Sequence, residues 1–327
     1  MGSVTLQISA APTDLPFLEA MVSHQIRILG NQVQEILIVA DIQAGKGRFH
    51  FQDEAIVNFK KVLEKIQRQW KVRIEFVDYS PNAQTRVAGN LWNKNKLPVK
   101  DYRGGPFYSY FYGIEACACD YVLHLDSDMI LGGGLQSWCS DAINVYEQDD
   151  RIASILPLSG PPPRRPGIPD QFRENSLDYK KLPHSYRSNK FTTRVFLIAK
   201  ERFIRILRDI SLDKPDMFRY MLGKWQGNPS VQAPEQLLGK YCQDNKYYRL
   251  DYLGNGPGLW TLHPPFRSEL FYEKLAGILT SVEAGNIPEV QRGFYDINDG
   301  FFDWSESVEK LPFYRRYKAK KKIKASS

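Results

Sequence analysis

Apolar residues follow two rhythms along the first part of the chain. "VTLQISA" (4–10), "EILIVAD" (35–41), "VRIEFVD" (72–78) and "YVLHLD" (121–126) are short runs rich in β-branched and large apolar side chains, the signature of strands. The second run is almost unbroken, as expected of a strand covered on both faces. Between these runs, 15–30, 53–70 and 105–119 repeat their apolar positions at helical spacing. The helix at 15–30 has Thr13 or Asp14 as candidate N-cap and Gly30 as its stop. Gly104-Gly105-Pro106 lead into the helix at 105–119. Strands alternating with helices at this spacing predict parallel βαβ units and a doubly wound α/β sheet.

Beyond Asp128 the rhythm is less regular. Helices are predicted at 134–149, 233–245 and 273–285, and strands at 152–158 and 247–254, while 192–207 reads as a strand running into a helix. The stretch 157–172, "PLSGPPPRRPGIPDQF", is too proline-dense for regular structure and is expected to be a long surface loop. No internal repeat and no clean linker interrupts the pattern. The expectation is one elaborated domain with a C-terminal helical extension.

Composition narrows the class. A chain of 327 residues can bury a sizeable core as one large α/β domain. No apolar run reaches the length of a membrane-spanning helix, and "MGSVTLQISA" lacks the basic and long apolar regions of a secretory signal. Leu6 also breaks the myristoylation pattern. The cysteines, Cys117, Cys119, Cys139 and Cys242, show no zinc spacing and read as free thiols of a reducing compartment, so a cytoplasmic location is expected. The net charge of +7 is concentrated in "RRYKAKKKIK" (315–324), which holds seven basic residues and no acid. The rest of the chain is near neutral, which argues against a broad nucleic-acid surface. The tail could rest peripherally on an anionic membrane surface, or it could be a solubilising end.

The densest chemistry lies in "YVLHLDSDMILGGG" (121–134). Asp126 and Asp128 follow a strand, and ligands of open α/β sheets bind beyond the carboxyl ends of strands. If the extended path continues through Ser127, alternation puts both carboxylates on one side. Two close carboxylates repel, and burying them unpaired is costly. A divalent cation relieves that repulsion. Mg²⁺ or Mn²⁺ suits oxygen ligands and completes its shell with phosphate and water, so the pair is suited to a metal–diphosphate.

With these residues in place, the chain resembles nucleotide-sugar glycosyltransferases of the GT-A fold, closest in style to family 2. The resemblance covers about 4–265 and is clearest over 4–131. It rests on the first strand–helix–strand, on Asp41 ending "ILIVAD", and on "YVLHLDSDMIL" in the place of the DxD motif. It implies a Rossmann-like, mostly parallel sheet flanked by helices. It also implies a glycosyltransferase domain over 1–265, with a nucleotide-sugar half (1–131) and an acceptor half (132–265). An extension over 266–312 and the basic tail at 313–327 follow. The implied activity is metal-dependent transfer of a hexose from a nucleoside-diphosphate sugar, UDP being the commonest nucleotide in such families, to a hydroxyl of a sugar, lipid or protein. Asp128 would bind Mn²⁺ or Mg²⁺, and Asp126 would bind the ribose, or the metal through water. Asp41 would contact base or ribose, the backbone after Ala10 would line the nucleotide pocket, and Arg103 would reach a phosphate or sugar. Glu235 in "APEQLLGKY" stands where the family places its general base, and His263 in "GLWTLHPPF" where several members have a further metal ligand. Two departures stand out. "SAAPTD" lacks the usual Asn-Glu after the first strand, and Gln236 follows Glu235 where Asp is common. Inverting and retaining courses both stay open.

Two rivals remain at this point. A nucleotidyltransferase would carry a Gly-rich, Arg-containing signature after the first strand, and "SAAPTDLPF" has none. A catalytically degenerate relative would bind a partner or membrane only, yet Asp126, Asp128, Glu235 and His263 are all present. "QAGKGRF" (43–49) lacks Walker spacing, and "GNGPG" (254–258) reads as a turn.

Overall fold

A computed structural model describes residues 2–43, 51–163, 176–179, 182–311 and 316. The glycine-lysine stretch, most of the proline-rich segment and most of the basic tail lie outside the described residues.

The chain opens with β1 (Val4–Ala10), a 3₁₀ turn, α1 (Leu18–Leu29), β2 (Glu35–Ala40), α2 (Asp53–Gln69) and β3 (Arg73–Phe76). It continues with α3 (Pro81–Trp92), α4 (Tyr108–Ala116), β4 (Tyr121–Asp126), β5 (Ile130–Gly132), α5 (Trp138–Glu147) and β6 (Ile152–Ser159). Next come β7 (Ser176–Asp178), β8 (Ser185–Ser188), β9 (Val195–Ala199), α6 (Lys200–Asp209), α7 (Met217–Trp225) and α8 (Pro234–Asp244). The described chain closes with β10 (Tyr248–Tyr252), β11 (Trp260–Leu262), α9 (Glu269–Glu283) and α10 (Ser305–Glu309).

The strands join in the order β3-β2-β1-β4-β9-β6-β10-β8-β7, and β11 pairs with both β6 and β5. Pairing is parallel across β3-β2-β1-β4, as the strand–helix alternation predicts. Antiparallel β9 then inserts between β4 and β6. The unbroken apolar run of β2 has the expected cause. Ile38 and Ala40 enter one apolar cluster, with α1 and α2, while Leu37 and Val39 enter another, with α3 and α4. Both faces of the sheet are covered.

The N-cap expected at Thr13 or Asp14 is not there. Phe17 precedes α1, and Asp14 lies in the 3₁₀ turn, where its carboxylate accepts from the Ala11 N–H (3.0 Å). Gly30 does close α1, although the chain continues into a further 3₁₀ turn. The glycines after β5 let two chain segments approach closely. Gly133 has φ +93°, and a Cβ there would come within 2.4 Å of the Gly258 carbonyl oxygen. That contact seats β5 beside β11, and β11 leads directly to His263.

A third apolar cluster joins the C-terminal segment to the body. Phe271, Leu275, Leu279 and Trp304 pack with Phe17, Met21, Ile130 and Trp260.

Candidate active site

Parallel register brings the ends of β2, β1 and β4 to one edge. Ala10 pairs with Ala40, and Ser9 with Asp126. The Asp41 N–H donates to the Ala10 carbonyl (2.9 Å) and the Ser127 N–H to that of Ser9 (3.1 Å). Ala10, Asp41, Asp126 and Asp128 therefore share the carboxyl edge of the sheet, where ligands of such sheets bind.

The extended path does not run through Ser127. The strand ends at Asp126 and a turn follows, with the Met129 N–H donating to the Asp126 carbonyl (3.2 Å). Gln25 of α1 clamps this turn, its amide nitrogen donating to the carbonyls of Asp126 (3.0 Å) and Met129 (2.9 Å). The turn gives the two carboxylates different partners. Asp126 remains partly open and accepts from the Tyr110 hydroxyl (3.3 Å), with His124 Nε2 3.5 Å away. Asp128 turns inward and is only 4% exposed.

Asp128 sits between two guanidiniums and an imidazole. Its Oδ2 pairs closely with Arg267 Nη2, and Arg194 Nη1 and His263 Nε2 each stand 3.8 Å away. Burial pushes its carboxyl up, but His263, Arg267 and Arg194 outweigh that and hold it below the ordinary carboxylate value. Its Oδ1 is buried without a hydrogen-bond partner. His263 is oriented from behind, Nδ1 against Asp296 Oδ1 at 2.8 Å, which leaves Nε2 toward Asp128. A carboxylate behind an imidazole in this way fixes its tautomer and raises its basicity as a ligand.

Asp14 completes this corner. It accepts from Ser127 Oγ (2.8 Å) and from Arg267 Nη1 (3.3 Å). Burial lifts its carboxyl to about 6, against the pull of Arg267 and of the hydrogen bonds from Ala11 and Ser127.

Among the described residues, no three His, Cys, Asp or Glu side chains stand close enough to hold one ion. The donor set still fits a divalent cation that shares its shell with a ligand. One buried carboxylate oxygen has no partner, and one imidazole nitrogen is aimed beside it. Mg²⁺ and Mn²⁺ commonly take one or two side-chain ligands and fill the remaining positions with phosphate and water.

Asp41 accepts from the Tyr79 hydroxyl (3.0 Å) and faces Lys100 Nζ at 3.4 Å. Arg103 and Glu235, far apart in sequence, form an ion pair of 2.7 Å, and Asp101 holds the other edge of the guanidinium. Glu235 lies in the first turn of α8, beside Pro234. Tyr110 is half-buried between the two halves of the site, where desolvation first, and then Asp126 and Glu235, raise its hydroxyl's pKa.

Sequence reasoning did not select Asp14, Tyr110, Arg194, Arg267 or Asp296. Only Arg267 carried a local signal, four residues after His263 in "HPPFR".

No family model matches the chain, and no curated protein matches it in sequence. Solved structures do resemble it. They include S. aureus TarS (12% identity, TM-score 0.39, 88% of this chain and 41% of TarS) and the galactosyltransferase LgtC in complex with donor and acceptor sugar analogs (14%, 0.40, 87% and 98%). A third is the mannosyltransferase PcManGT from Pyrobaculum calidifontis with GDP-Man and Mn²⁺ (10%, 0.39, 78% and 58%). The chain thus spans about two-fifths of TarS and under two-thirds of PcManGT. At such identities and scores the likeness is one of general shape, and function has to stand on the residues.

Proposed function

We propose that this chain is a glycosyltransferase of the GT-A kind, moving a hexose from a nucleoside-diphosphate sugar, UDP-linked in the first instance, to an acceptor hydroxyl. One observation carries the reading. At the carboxyl edge of the sheet, a buried carboxylate is held below its ordinary pKa beside two guanidiniums, with one oxygen unpartnered and an oriented imidazole next to it.

Asp128 and His263 would hold Mn²⁺ or Mg²⁺, with Asp126 contributing through water or binding the ribose. When bound, the cation supplies charge neutralisation for the leaving diphosphate. Arg267 and Arg194 border the same place and add fixed positive charge there, which favours departure of a dianionic group. Asp41, with Tyr79 behind it, takes the base or ribose, and the backbone after Ala10 lines the nucleotide pocket. Glu235 accepts the proton of the acceptor hydroxyl. Arg103 pairs with Glu235 at 2.7 Å and fixes its direction, a different task from the phosphate or sugar contact expected of it from sequence. A general base acting on the acceptor makes the displacement a single inversion at the anomeric carbon.

The test is thermal stability against nucleoside diphosphates, with and without Mn²⁺, for wild type and Asp128→Ala. A ligand that binds only the folded chain raises the melting temperature. A Mn²⁺-dependent rise with one nucleotide, lost in the variant, is expected. No rise with any nucleotide would overturn the reading.

A further inference from the structure

α7 exposes what other helices bury. Met217 is 73% exposed, Phe218 78%, Met221 63%, Leu222 38% and Trp225 84%. Among the described residues only Val57, Phe76 and Val290 are other exposed large apolar side chains, and they lie apart in sequence. Isolated exposed apolar residues are ordinary, whereas a contiguous patch marks an interaction site.

The arrangement on the helix is specific. At about 100° per residue, the five apolar side chains span an arc of about 140°. Buried Gly223 falls opposite the middle of that arc. It is where the helix meets the body, since a Cβ there would lie 3.0 Å from the Tyr102 carbonyl oxygen. The apolar arc therefore faces directly away from the protein. Arg219 and Lys224 lie at its two edges. Nearby acids are occupied locally. Asp216 caps the helix by accepting from the Arg219 N–H (3.0 Å) and pairs with the Arg219 side chain (3.3 Å), while Asp213 pairs with Lys240 (2.8 Å). Among the described residues, Lys214 and Lys224 pair with no carboxylate. They stand over the Tyr220 ring, at 5.8 and 5.1 Å from its centre.

We propose that α7 is an interfacial anchor that seats this chain on an anionic lipid surface. An apolar arc with Trp, Phe and Leu, flanked by basic residues whose stems can reach headgroups, is what such a surface accepts. A second protein copy fits less well, because stable interfaces engage roughly 20–30 residues a side and this face is one helix of nine.

The anchor also orients the site. α7 packs on the loop that carries Arg103. Asn228 Nδ2 donates to the Tyr102 carbonyl (3.2 Å), the Tyr102 N–H donates to the Val231 carbonyl (2.9 Å), and Arg103 pairs with Glu235. Resting on the glycosyltransferase reading above, this places the acceptor side of the site next to the lipid and selects a lipid-borne hydroxyl as acceptor. The docking itself does not depend on that reading.

The experiment is co-sedimentation of the full chain with vesicles of phosphatidylcholine alone or mixed with phosphatidylglycerol. The chains compared are wild type, Phe218→Ser/Trp225→Ser, and a chain lacking 315–327. Both substituted residues are exposed, so the variant should keep the wild-type melting temperature. Wild type should bind the anionic vesicles, the double variant at least tenfold less, and brominated lipid should quench Trp225 fluorescence, a signal absent from Trp225→Phe. Nucleotide-sugar hydrolysis in solution should not change. Equal binding by the double variant would overturn the proposal, as would binding lost only with the tail. Equal binding to neutral vesicles would overturn the anionic assignment. A wild-type dimer that the variant abolishes would give the face to a second copy instead. Vesicle binding by a chain that shows no nucleotide effect would sink the glycosyltransferase reading and leave the anchor standing.

Discussion

Arg267 serves two buried carboxylates at once, Asp128 through one terminal nitrogen and Asp14 through the other. Removing it leaves both acids with less compensation. Breaking a fully buried pair costs about 3–5 kcal/mol, and the partial exposure of Arg267 reduces that, so Arg267→Met should lower stability by about 1–3 kcal/mol. Urea unfolding measures it, and Arg267→Lys should recover part of the loss. If the pairing is direct, Arg267→Met in an Asp128→Asn background should cost clearly less. A second residue gives a pH dependence. His24 is buried, its Nε2 accepts from the Leu131 N–H (2.9 Å), and its Nδ1 meets Glu283 at 2.6 Å. The ring is therefore neutral, with its proton on Nδ1. Burial, against the opposing pull of Glu283, lowers its pKa below 6.5. Below that value the unfolded chain binds the proton more readily, so stability is lost as pH falls through the native value. The stability margin of wild type over His24→Gln should shrink between pH 7.5 and 5.5. Asp14 runs the other way, because its raised pKa means stability lost as pH rises through about 6, but both chains share that slope and it cancels in the difference. Asp126, Asp128 and His263 could be chosen from the sequence because each stands beside a strand or turn signal. Asp14, Arg194 and Asp296 could not, and Arg267 only through its place four residues after His263, since contacts such as Arg267 to Asp14 span 253 positions.

Elements were legible in proportion to how regularly they bury apolar side chains. β1, β2 and β4 alternate between two covered faces and were readable to within a residue. α3 escaped notice although Ala83, Val87, Ala88, Leu91 and Trp92 are buried at helical spacing, because Asn, Gln, Thr and Gly dilute the stripe. β5 and β11, three residues each, are too short to show a period. α7 was invisible for the reason that makes it interesting, namely that its apolar side faces outward. The glycine run after β5 offers an element-scale test. Gly133 and Gly134 both have positive φ, but a Cβ at Gly133 would strike the Gly258 carbonyl oxygen, while one at Gly134 meets nothing within 4 Å. Gly134→Ala should cost only backbone strain, about 1 kcal/mol. Gly133→Ala should cost about 3 kcal/mol or more, because strain and displacement of the β5–β11 pair add. It should also weaken any Mn²⁺-dependent nucleotide effect through the shift of His263. Thermal unfolding of the two variants, side by side, separates the contributions.

At the scale of the whole molecule, the question is whether the C-terminal segment is an appendage or part of the fold. Its buried side chains, Phe271, Leu275, Ile278, Leu279, Val282, Ile297 and Trp304, cover Phe17, Met21, Ile130, Trp260 and Leu262 of the body. Glu283 at the end of α9 meets His24 and Arg27 of α1, both at 2.6 Å. Fully burying one large apolar side chain contributes about 1.5–3 kcal/mol. Seven such side chains therefore contribute more than about 10 kcal/mol before the entropy of ordering the segment is subtracted, against a typical net stability of about 5–15 kcal/mol. The segment also returns Asp296 to orient His263, so the site depends on it as the core does. A chain ending at Arg267 should accumulate in the insoluble fraction or show no cooperative unfolding, whereas the full chain should unfold in a single transition by circular dichroism. If the shortened chain folds with a melting temperature near that of the full one, the third apolar cluster is dispensable and 266–312 is a separate unit resting on the body.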